Sequence, residues 1–319
     1  MYTLLMIMCL LSIYTTNLFF LWMFLEILSM SFVIYLNMNS IKIYSIMYYM
    51  IANISSTLIM ISILSQFHLM DINITLLFSL WLKLGMFPLN NWMNLLMKNI
   101  NYNSLMLLLT LMKVIPLLMF MYFIKFNTYI FTLMLIMMIP PVIFSLNTSS
   151  YPMLMNYSSM YNIPLILIFN FTNNTLVMTY MISYITSTFY VLFFLNSHTV
   201  YYKNSLNLNI NKNHKIFINL MMFIYAQFPP FFTFTMKWNL ISYTLKTNNN
   251  FILASMMMIM CSLIITFSYL NFNNYNYYLN HLKIGHKINI KMKNNFMLKL
   301  MLNITFLSLT LVFSYMYMY

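Results

Sequence analysis

The chain has 319 residues, of which 62% are hydrophobic and 5% are charged, and its formal net charge is +13. So few polar side chains cannot cover the surface of a soluble protein of this length, which excludes a soluble globular fold. Stretches of about 20 apolar residues follow one another along nearly the whole chain, and this is the length needed to cross a ~30 Å hydrocarbon core. The sequence therefore predicts an all-α polytopic membrane protein.

In chain order, apolar stretches separated by Asn-rich and Lys-rich connections predict about eleven membrane helices. The predicted helices cover residues 3–15, 18–37, 41–66, 73–97, 103–124, 128–146, 155–170, 174–195, 216–243, 252–270 and 296–317. No connection is suited to a separate soluble domain, so residues 1–319 are predicted to form a single membrane domain.

The lysines in the predicted connections are unevenly divided between the two sides of the membrane. Connections on the side of the N-terminus carry Lys42, Lys98, Lys203, Lys212, Lys215, Lys283, Lys287, Lys291, Lys293 and Lys299, whereas the other side carries only Lys125 and Lys246. By the positive-inside rule, the N-terminus faces the compartment of synthesis. Because these lysines lie at the ends of apolar segments and do not form one face of a domain, we predict no nucleic-acid partner.

Residue usage points to an organelle genome. The chain contains 37 Met, 29 Phe and 26 Tyr but only 2 Gly, as an extremely AT-rich reading frame would produce. The abundance of Met resembles a mitochondrial code that reads ATA as Met. No Arg-rich, Ser-rich leader precedes the first apolar stretch. We therefore expect a multi-pass protein of the mitochondrial inner membrane, with its N-terminus on the matrix side.

Redox cofactors are not predicted in this chain. Gly85 and Gly285 are the two glycines, so a Gly-rich loop for NADH, flavin or ATP is excluded. The histidines all lie in predicted connections or near helix ends, which leaves no facing pair for haem: His68, His198, His214, His281 and His286. Cys9 and Cys261 lie far apart and form neither a disulfide framework nor a metal pair. What remains is a protein that moves ions or supports one that does.

Four charged residues lie inside apolar stretches: Glu26, Lys83, Lys113 and Lys237. A charge at the centre of a membrane costs roughly 2.5 to 3.5 kcal/mol on insertion scales, so such residues usually face a bundle interior or a water path. Lys can release its proton inside a protein, whereas Arg does not. The set is therefore predicted to form a proton relay.

Prolines lie close to each of the three lysines. Pro88 follows Lys83 and Gly85, Pro116 follows Lys113, and Pro229 and Pro230 precede Lys237. A proline inside a helix removes one hydrogen bond and clashes with the carbonyl four residues earlier. We therefore expect helix breaks at these positions, and broken membrane helices tend to line hydrated cavities.

In its motifs the chain resembles the family of mitochondrially encoded NADH:ubiquinone oxidoreductase chain 2, an antiporter-like subunit of respiratory complex I. The resemblance spans about residues 16 to 240 and rests on five segments in family order: Phe19-Phe20-Leu21-Trp22-Met23-Phe24-Leu25-Glu26, Lys83-Leu84-Gly85-Met86-Phe87-Pro88 with Trp92, Thr110-Leu111-Met112-Lys113-Val114-Ile115-Pro116, Tyr157-Ser158-Ser159, and Pro229-Pro230 through Lys237-Trp238. The ordered set is more specific than any one segment.

This resemblance implies a bundle of two inverted repeats with discontinuous helices, with an antiporter-like core at about 16–245 followed by C-terminal helices at about 252–317. It implies that Glu26 and Lys83 form a glutamate–lysine couple, that Lys113 continues the charged line and that Lys237 is the distal lysine. It also implies proton translocation coupled to NADH oxidation and ubiquinone reduction. NAD, FMN, iron-sulfur clusters and ubiquinone would bind elsewhere in the complex, and the partners would be other membrane-arm subunits, including neighbouring antiporter-like ones, and phospholipid.

The chain departs from the family at several positions. Asn90 stands where the family often has His, Pro152 and Met153 stand where it often has a basic pair, and Ala226 and Gln227 stand where it often has a Gly pair. A histidine relay at position 90 is therefore not predicted.

Two other functions remain open from the residues alone. The chain would fit an independent cation/proton antiporter, or a purely structural membrane subunit whose intramembrane charges only fix helix packing.

Overall fold

A computed structural model describes residues 2–39, 42–65, 72–124, 128–170, 174–198, 201–202, 221–227, 234–235, 237–239, 241–242 and 252–278. The α-helices are α1 (Tyr2–Tyr14), α2 (Leu18–Asn39), α3 (Lys42–Ser65), α4 (Ile72–Leu84), α5 (Asn91–Asn99), α6 (Tyr102–Leu109), α7 (Leu111–Phe123), α8 (Thr128–Leu146), α9 (Tyr151–Phe169), α10 (Asn174–His198) and α11 (Ile252–Tyr278). Residues 221–225 are helical as well. The described residues form no β-strand, and a single isolated bridge pairs Ser150 with Tyr202.

Six helical stretches of the described part are long and apolar enough to cross a membrane: Leu18–Asn39, Lys42–Leu64, Tyr102–Phe123, Tyr129–Leu146, Val177–Ser197 and Ala254–Asn271. The shorter helices Thr3–Tyr14 and Ile74–Leu84 are also apolar. The prediction of an all-α polytopic membrane protein is confirmed.

Four predicted helices are divided or differ from the structure by more than three residues; one of them, 252–270, continues to Tyr278 as α11. The stretch 73–97 is divided into α4 and α5, and the stretch 103–124 is divided into α6 and α7. Helix α9 begins at Tyr151 instead of residue 155 because Pro152 lies in its first turn, where a missing N–H removes no helical hydrogen bond. The predicted helix 296–317 and half of 216–243 lie outside the described residues.

The chain divides into two compact units, Met1–Ser145 with Pro152–Phe171 and Leu146–Tyr151 with Thr172–Tyr319. In the first unit, α7 packs against α1, α2, α4 and α6. Its nine residues from 113 to 121 are all buried. A helix that is apolar on every side is the kind that other helices surround. This central position brings Lys113 into the interior.

The second unit contains α10, residues 221–225 and α11. Its buried side chains include four tyrosines, each no more than 3% exposed: Tyr180, Tyr184, Tyr225 and Tyr269. The Tyr225 and Tyr269 rings meet edge to face at 5.6 Å, and Tyr184 and Tyr225 lie 6.2 Å apart. Offset and edge contacts of this kind stabilise aromatic packing.

Candidate functional site

Glu26 lies on α2 and faces a cleft between α2 and α3. The cleft has a volume of about 540 Å³, and its lining includes Trp22, Glu26 and Met30 from α2 and Asn53, Ser56 and Met60 from α3. These residues recur at intervals of three or four, so they lie on one face of each helix. The side chain of Glu26 is half-buried, and its Oε2 atom is buried without a hydrogen-bond partner. The carboxylate is thus presented to a cleft that also carries polar groups.

Lys83 lies in the last turn of α4 and reaches across to α3. Its Nζ atom donates a hydrogen bond to the main-chain oxygen of Ala52 at 3.4 Å. The Glu26 carboxylate acts on Lys83 electrostatically. Ala52 and Ser56 are one turn apart on α3, so the structure brings Glu26 and Lys83 to neighbouring turns of the same helix.

The helix that carries Lys83 ends at Leu84 and is closed by Gly85. The N–H of Gly85 donates to the Leu82 oxygen and the N–H of Met86 donates to the Trp81 oxygen, both at 3.2 Å. With Gly85 at φ +64°, these two bonds form a Schellman motif, in which a left-handed glycine closes the helix. Helix α5 then begins at Asn91, so the break predicted beside Lys83 spans the residues between Leu84 and Asn91.

A side chain of α4 bridges this break. Trp81 donates its indole N–H to the main-chain oxygen of Phe87 at 2.7 Å, immediately before Pro88. Asn90, where a histidine relay was not predicted, is buried and its amide contacts the sulfur of Met160 at 3.6 Å. The segment between α4 and α5 is therefore held by specific side-chain contacts.

Lys113 is 3% exposed and lies in the first turn of α7. Its Nζ atom donates to the Ser159 hydroxyl of α9 at 2.7 Å. The helix break near Lys113 does not lie at Pro116, where the sequence predicts it. Helix α7 continues through Pro116, and the interruption lies at Thr110, whose φ and ψ are −108° and −81°.

The Thr110 side chain explains why the helix is interrupted at this residue. Its hydroxyl donates to the Met106 oxygen at 2.5 Å, and its own N–H donates to the same oxygen at 3.1 Å. Threonine hydroxyls compete in this way for main-chain acceptors and favour bends in helices. Pro116 removes a single hydrogen bond at the start of α7, which the helix tolerates because its neighbours surround it.

Lys237 belongs to the second unit and is 5% exposed. It lies within electrostatic range of Cys261 on α11. Before it in the chain, the helical residues 221–225 end in a turn at Gln227, which has φ +58° and donates its side-chain amide to the Tyr180 hydroxyl at 2.8 Å. Pro229 and Pro230, predicted to break this helix, lie outside the described residues.

Sequence reasoning did not assign a role to the partners of Lys113. Ser159 accepts from Lys113, and Asn156 donates its amide to the Asn94 oxygen at 2.8 Å. Polar residues three apart in an otherwise apolar helix share one face, and this spacing was the available signal. Among the described residues there is no group of three or more His, Cys, Asp or Glu side chains that could hold a metal; the predicted absence of cofactors stays a prediction.

The fold is that of membrane subunits found in respiratory and antiporter complexes. Respiratory complex I from Thermus thermophilus contains a chain that superposes with a TM-score of 0.71 at 12% identity, over 82% of this chain and 66% of that one. An archaeal membrane-bound sulfane sulfur reductase gives 0.76 at 15% identity, over 98% and 71%. The Mrp complex from a Dietzia species gives 0.66 at 15% identity, over 86% and 58%. These likenesses define the antiporter-like class of the fold.

Two curated relatives identify the family within that class. NADH-ubiquinone oxidoreductase chain 2 from Anopheles gambiae is 27% identical over 309 residues, which is 92% of this chain and 87% of the relative. The protein of the same name from Aedes aegypti is 30% identical over 230 residues, 72% of this chain and 66% of the relative. No family model matches the chain. The chain belongs to the NADH-ubiquinone oxidoreductase chain 2 family.

Proposed function

We propose that the chain is a core membrane-arm subunit of respiratory complex I in the mitochondrial inner membrane. In this role it couples NADH oxidation and ubiquinone reduction, performed by other subunits, to proton translocation. Its activity exists in the assembled complex, where NAD, FMN, iron-sulfur clusters and ubiquinone bind elsewhere and neighbouring antiporter-like subunits and phospholipid surround it. The lysine-rich connections support a matrix location for the N-terminus.

The observation that carries the proposal is the placement of Glu26 and Lys83 at neighbouring turns of α3, beside the α4–α5 break. The half-buried Lys83 ammonium and the Glu26 carboxylate act on each other electrostatically, and this interaction is stronger in a medium of low dielectric constant. When Lys83 moves toward Glu26, its charged form gains stability, and when it moves away, that stabilisation is lost. Changes transmitted from quinone reduction would thus alternate proton uptake and release at Lys83.

The energies are compatible with this role. Moving one charge against 100 mV costs about 2.3 kcal/mol. One unit of pKa corresponds to ~1.4 kcal/mol of differential interaction between the two protonation states. Modest changes in the surroundings of Lys83, Lys113 and Lys237 would therefore suffice for each transfer.

The decisive experiment measures the ratio of protons translocated to NADH oxidised in sealed vesicles that contain the assembled complex. We expect Lys83→Met and Glu26→Gln to lose or uncouple pumping at a normal level of assembly. Lys42→Met is the matched control, because it makes the same chemical change at an exposed lysine at the start of α3. If Lys83→Met and Glu26→Gln leave both the ratio and the turnover unchanged, the two charges serve only helix packing. That result would favour the structural-subunit alternative.

The likeness to a chain of the Mrp complex supports a second candidate, an independent cation/proton antiporter. Reconstitution of the purified chain alone in liposomes separates the two functions. Ion exchange by the chain alone would favour the antiporter, whereas we expect proton movement to require the other subunits.

A further inference from the structure

A line of polar side chains leads from the end of α5 to Lys113. Asn94 on α5 accepts a hydrogen bond from the Asn156 amide of α9 at 2.8 Å. One turn further along α9, the Ser159 hydroxyl donates to the Asn156 main-chain oxygen at 2.7 Å and accepts from Lys113 Nζ at 2.7 Å. Four residues on three helices are thus connected by hydrogen bonds, and all of them belong to the first unit.

The line is exposed at one end and buried at the other. Lys98 is exposed and lies one turn beyond Asn94, which is half-buried. Asn156 and Ser159 are 0% exposed and Lys113 is 3% exposed. The line therefore begins at the surface beside Lys98, in the last turn of α5, and ends at an enclosed lysine.

An unpartnered atom in the middle of the line offers an acceptor for a water molecule. The side-chain oxygen of Asn156 is buried without a hydrogen-bond partner. Leaving a buried acceptor unsatisfied costs about 1–3 kcal/mol, and buried waters commonly satisfy such groups when other polar atoms are close by. The Asn94 amide and the half-buried Tyr157, which lies beside Asn94, supply those polar neighbours.

The Ser159 hydroxyl can pass a proton to Lys113. In the structure it donates a hydrogen bond to the Asn156 main-chain oxygen and accepts one from Lys113 Nζ. If Lys113 is a neutral amine, the same hydroxyl can rotate and donate to Nζ, because a serine hydroxyl is both donor and acceptor.

We propose that Asn94, Asn156 and Ser159 form a hydrated proton-access path to Lys113 from the membrane face that carries Lys98. The proposal rests on the proposed function, because it assigns the route by which one lysine of that relay is protonated. In each transfer, the O–H bond of a water or of Ser159 breaks and an N–H bond forms at Lys113. The next water replaces the lost proton, so that one proton enters from the aqueous side.

The test uses the assembled complex in inside-out vesicles, whose outer medium bathes the matrix face. Asn156→Leu replaces the amide with an apolar group of similar size and leaves the Lys113–Ser159 bond in place. We expect coupled turnover to fall about tenfold, the factor that ~1.4 kcal/mol of added barrier produces. We also expect a larger solvent deuterium isotope effect on turnover than in the native protein. Asn156→Ser, which keeps a donor, an acceptor and space for water, should restore most of both values.

Two further variants make the result interpretable. Asn94→Leu changes the half-buried entrance from another helix and should reproduce the slower turnover and the larger isotope effect even if Asn156→Leu fails to assemble. Asn170→Leu is the matched control, because it removes an amide that donates to the Met121 oxygen at 3.0 Å at the opposite end of α9, and it should leave both values unchanged.

Lys113→Met in the same series separates this proposal from the proposed function. If Lys113→Met abolishes pumping while Asn156→Leu and Asn94→Leu retain native turnover and isotope effect, the path is refuted and the relay stands. If Lys113→Met pumps normally, Lys113 carries no proton, and both the path and this part of the relay are refuted.

Discussion

Lys83 and Lys113, the two lysines of the first unit that lie inside apolar stretches, each find an acceptor on a helix other than their own. Lys83 of α4 reaches a main-chain oxygen of α3 at 3.4 Å, and Lys113 of α7 reaches a hydroxyl of α9 at 2.7 Å. Since hydrogen bonds weaken as they lengthen, Lys83 is held less firmly than Lys113. The weaker hydrogen bond is that of Lys83, the lysine that Glu26 influences. A lysine that alternates between two partners needs a contact that is easily broken.

Gly85 lies at a position where both the backbone conformation and the surrounding space disfavour a side chain. Its φ is +64°, and a Cβ atom would meet Trp92 Cζ2 at 3.1 Å and Met93 Cβ at 3.2 Å. The left-handed conformation alone costs an L-residue roughly 1–2 kcal/mol. We predict that Gly85→Ala destabilises the complex by at least this amount, measured as a lower melting temperature of the assembled complex.

The control for this prediction is Ser79→Ala, which introduces the same side chain into the same helix at a buried position with ordinary helical backbone. It should change the melting temperature little, because alanine is well suited to a helix interior. Equal melting temperatures for Gly85→Ala and the native protein would show that the end of α4 adapts to a side chain at this position.

At the scale of elements, the break between α4 and α5 depends on the Trp81 indole. That indole donates to the Phe87 oxygen at 2.7 Å, inside a segment with few helical hydrogen bonds of its own. An unsatisfied buried carbonyl costs about 1–3 kcal/mol. We predict that Trp81→Phe, which keeps an aromatic ring but removes the donor, speeds amide hydrogen exchange at residues 85–90.

Trp22→Phe provides the comparison. Trp22 also donates to a main-chain oxygen, that of Ser56 at 3.2 Å, but it joins two continuous helices, α2 and α3. Its loss should leave exchange at residues 85–90 unchanged. If both substitutions have the same effect there, the Trp81 bond does not hold the break.

The sequence predicted the number and order of helices in the described part better than it predicted where they are interrupted. Runs of apolar residues mark membrane helices because hydrocarbon excludes polar side chains. The break after Lys83 was predicted because Gly85 and Pro88 both disfavour a continuing helix. The break at Thr110 was not predicted, since it depends on a hydroxyl that competes for the Met106 oxygen, and most threonines in membrane helices do not interrupt them.

In the candidate site, too, the sequence revealed some features and not others. Charged residues in apolar runs were recognisable because burying a charge is costly. Their partners were not, because the Ala52 oxygen and the Ser159 hydroxyl come from distant positions in the chain. Only packing of α3 against α4, and of α9 against α7, decides which main-chain or side-chain atom each lysine reaches.

For the whole molecule, the membrane face of each connection follows from the number of predicted crossings before it. Asn17 lies after one predicted crossing and Lys98 after four, so the two positions belong on opposite faces. Both are exposed. The cysteines of the chain, Cys9 and Cys261, are buried, so a membrane-impermeant thiol reagent should meet little background from this subunit.

We predict that Lys98→Cys is labelled in inside-out vesicles and protected in mitoplasts, whereas Asn17→Cys shows the reverse. The reason is the excess of lysine in connections on the side of the N-terminus, which the positive-inside rule assigns to the matrix. Each variant serves as the control for the other, since both report accessibility in the same preparations. Labelling of both from one side would refute the alternating crossings of α1 to α5, and the reversed pattern would place the N-terminus and the mouth of the proposed path on the intermembrane side.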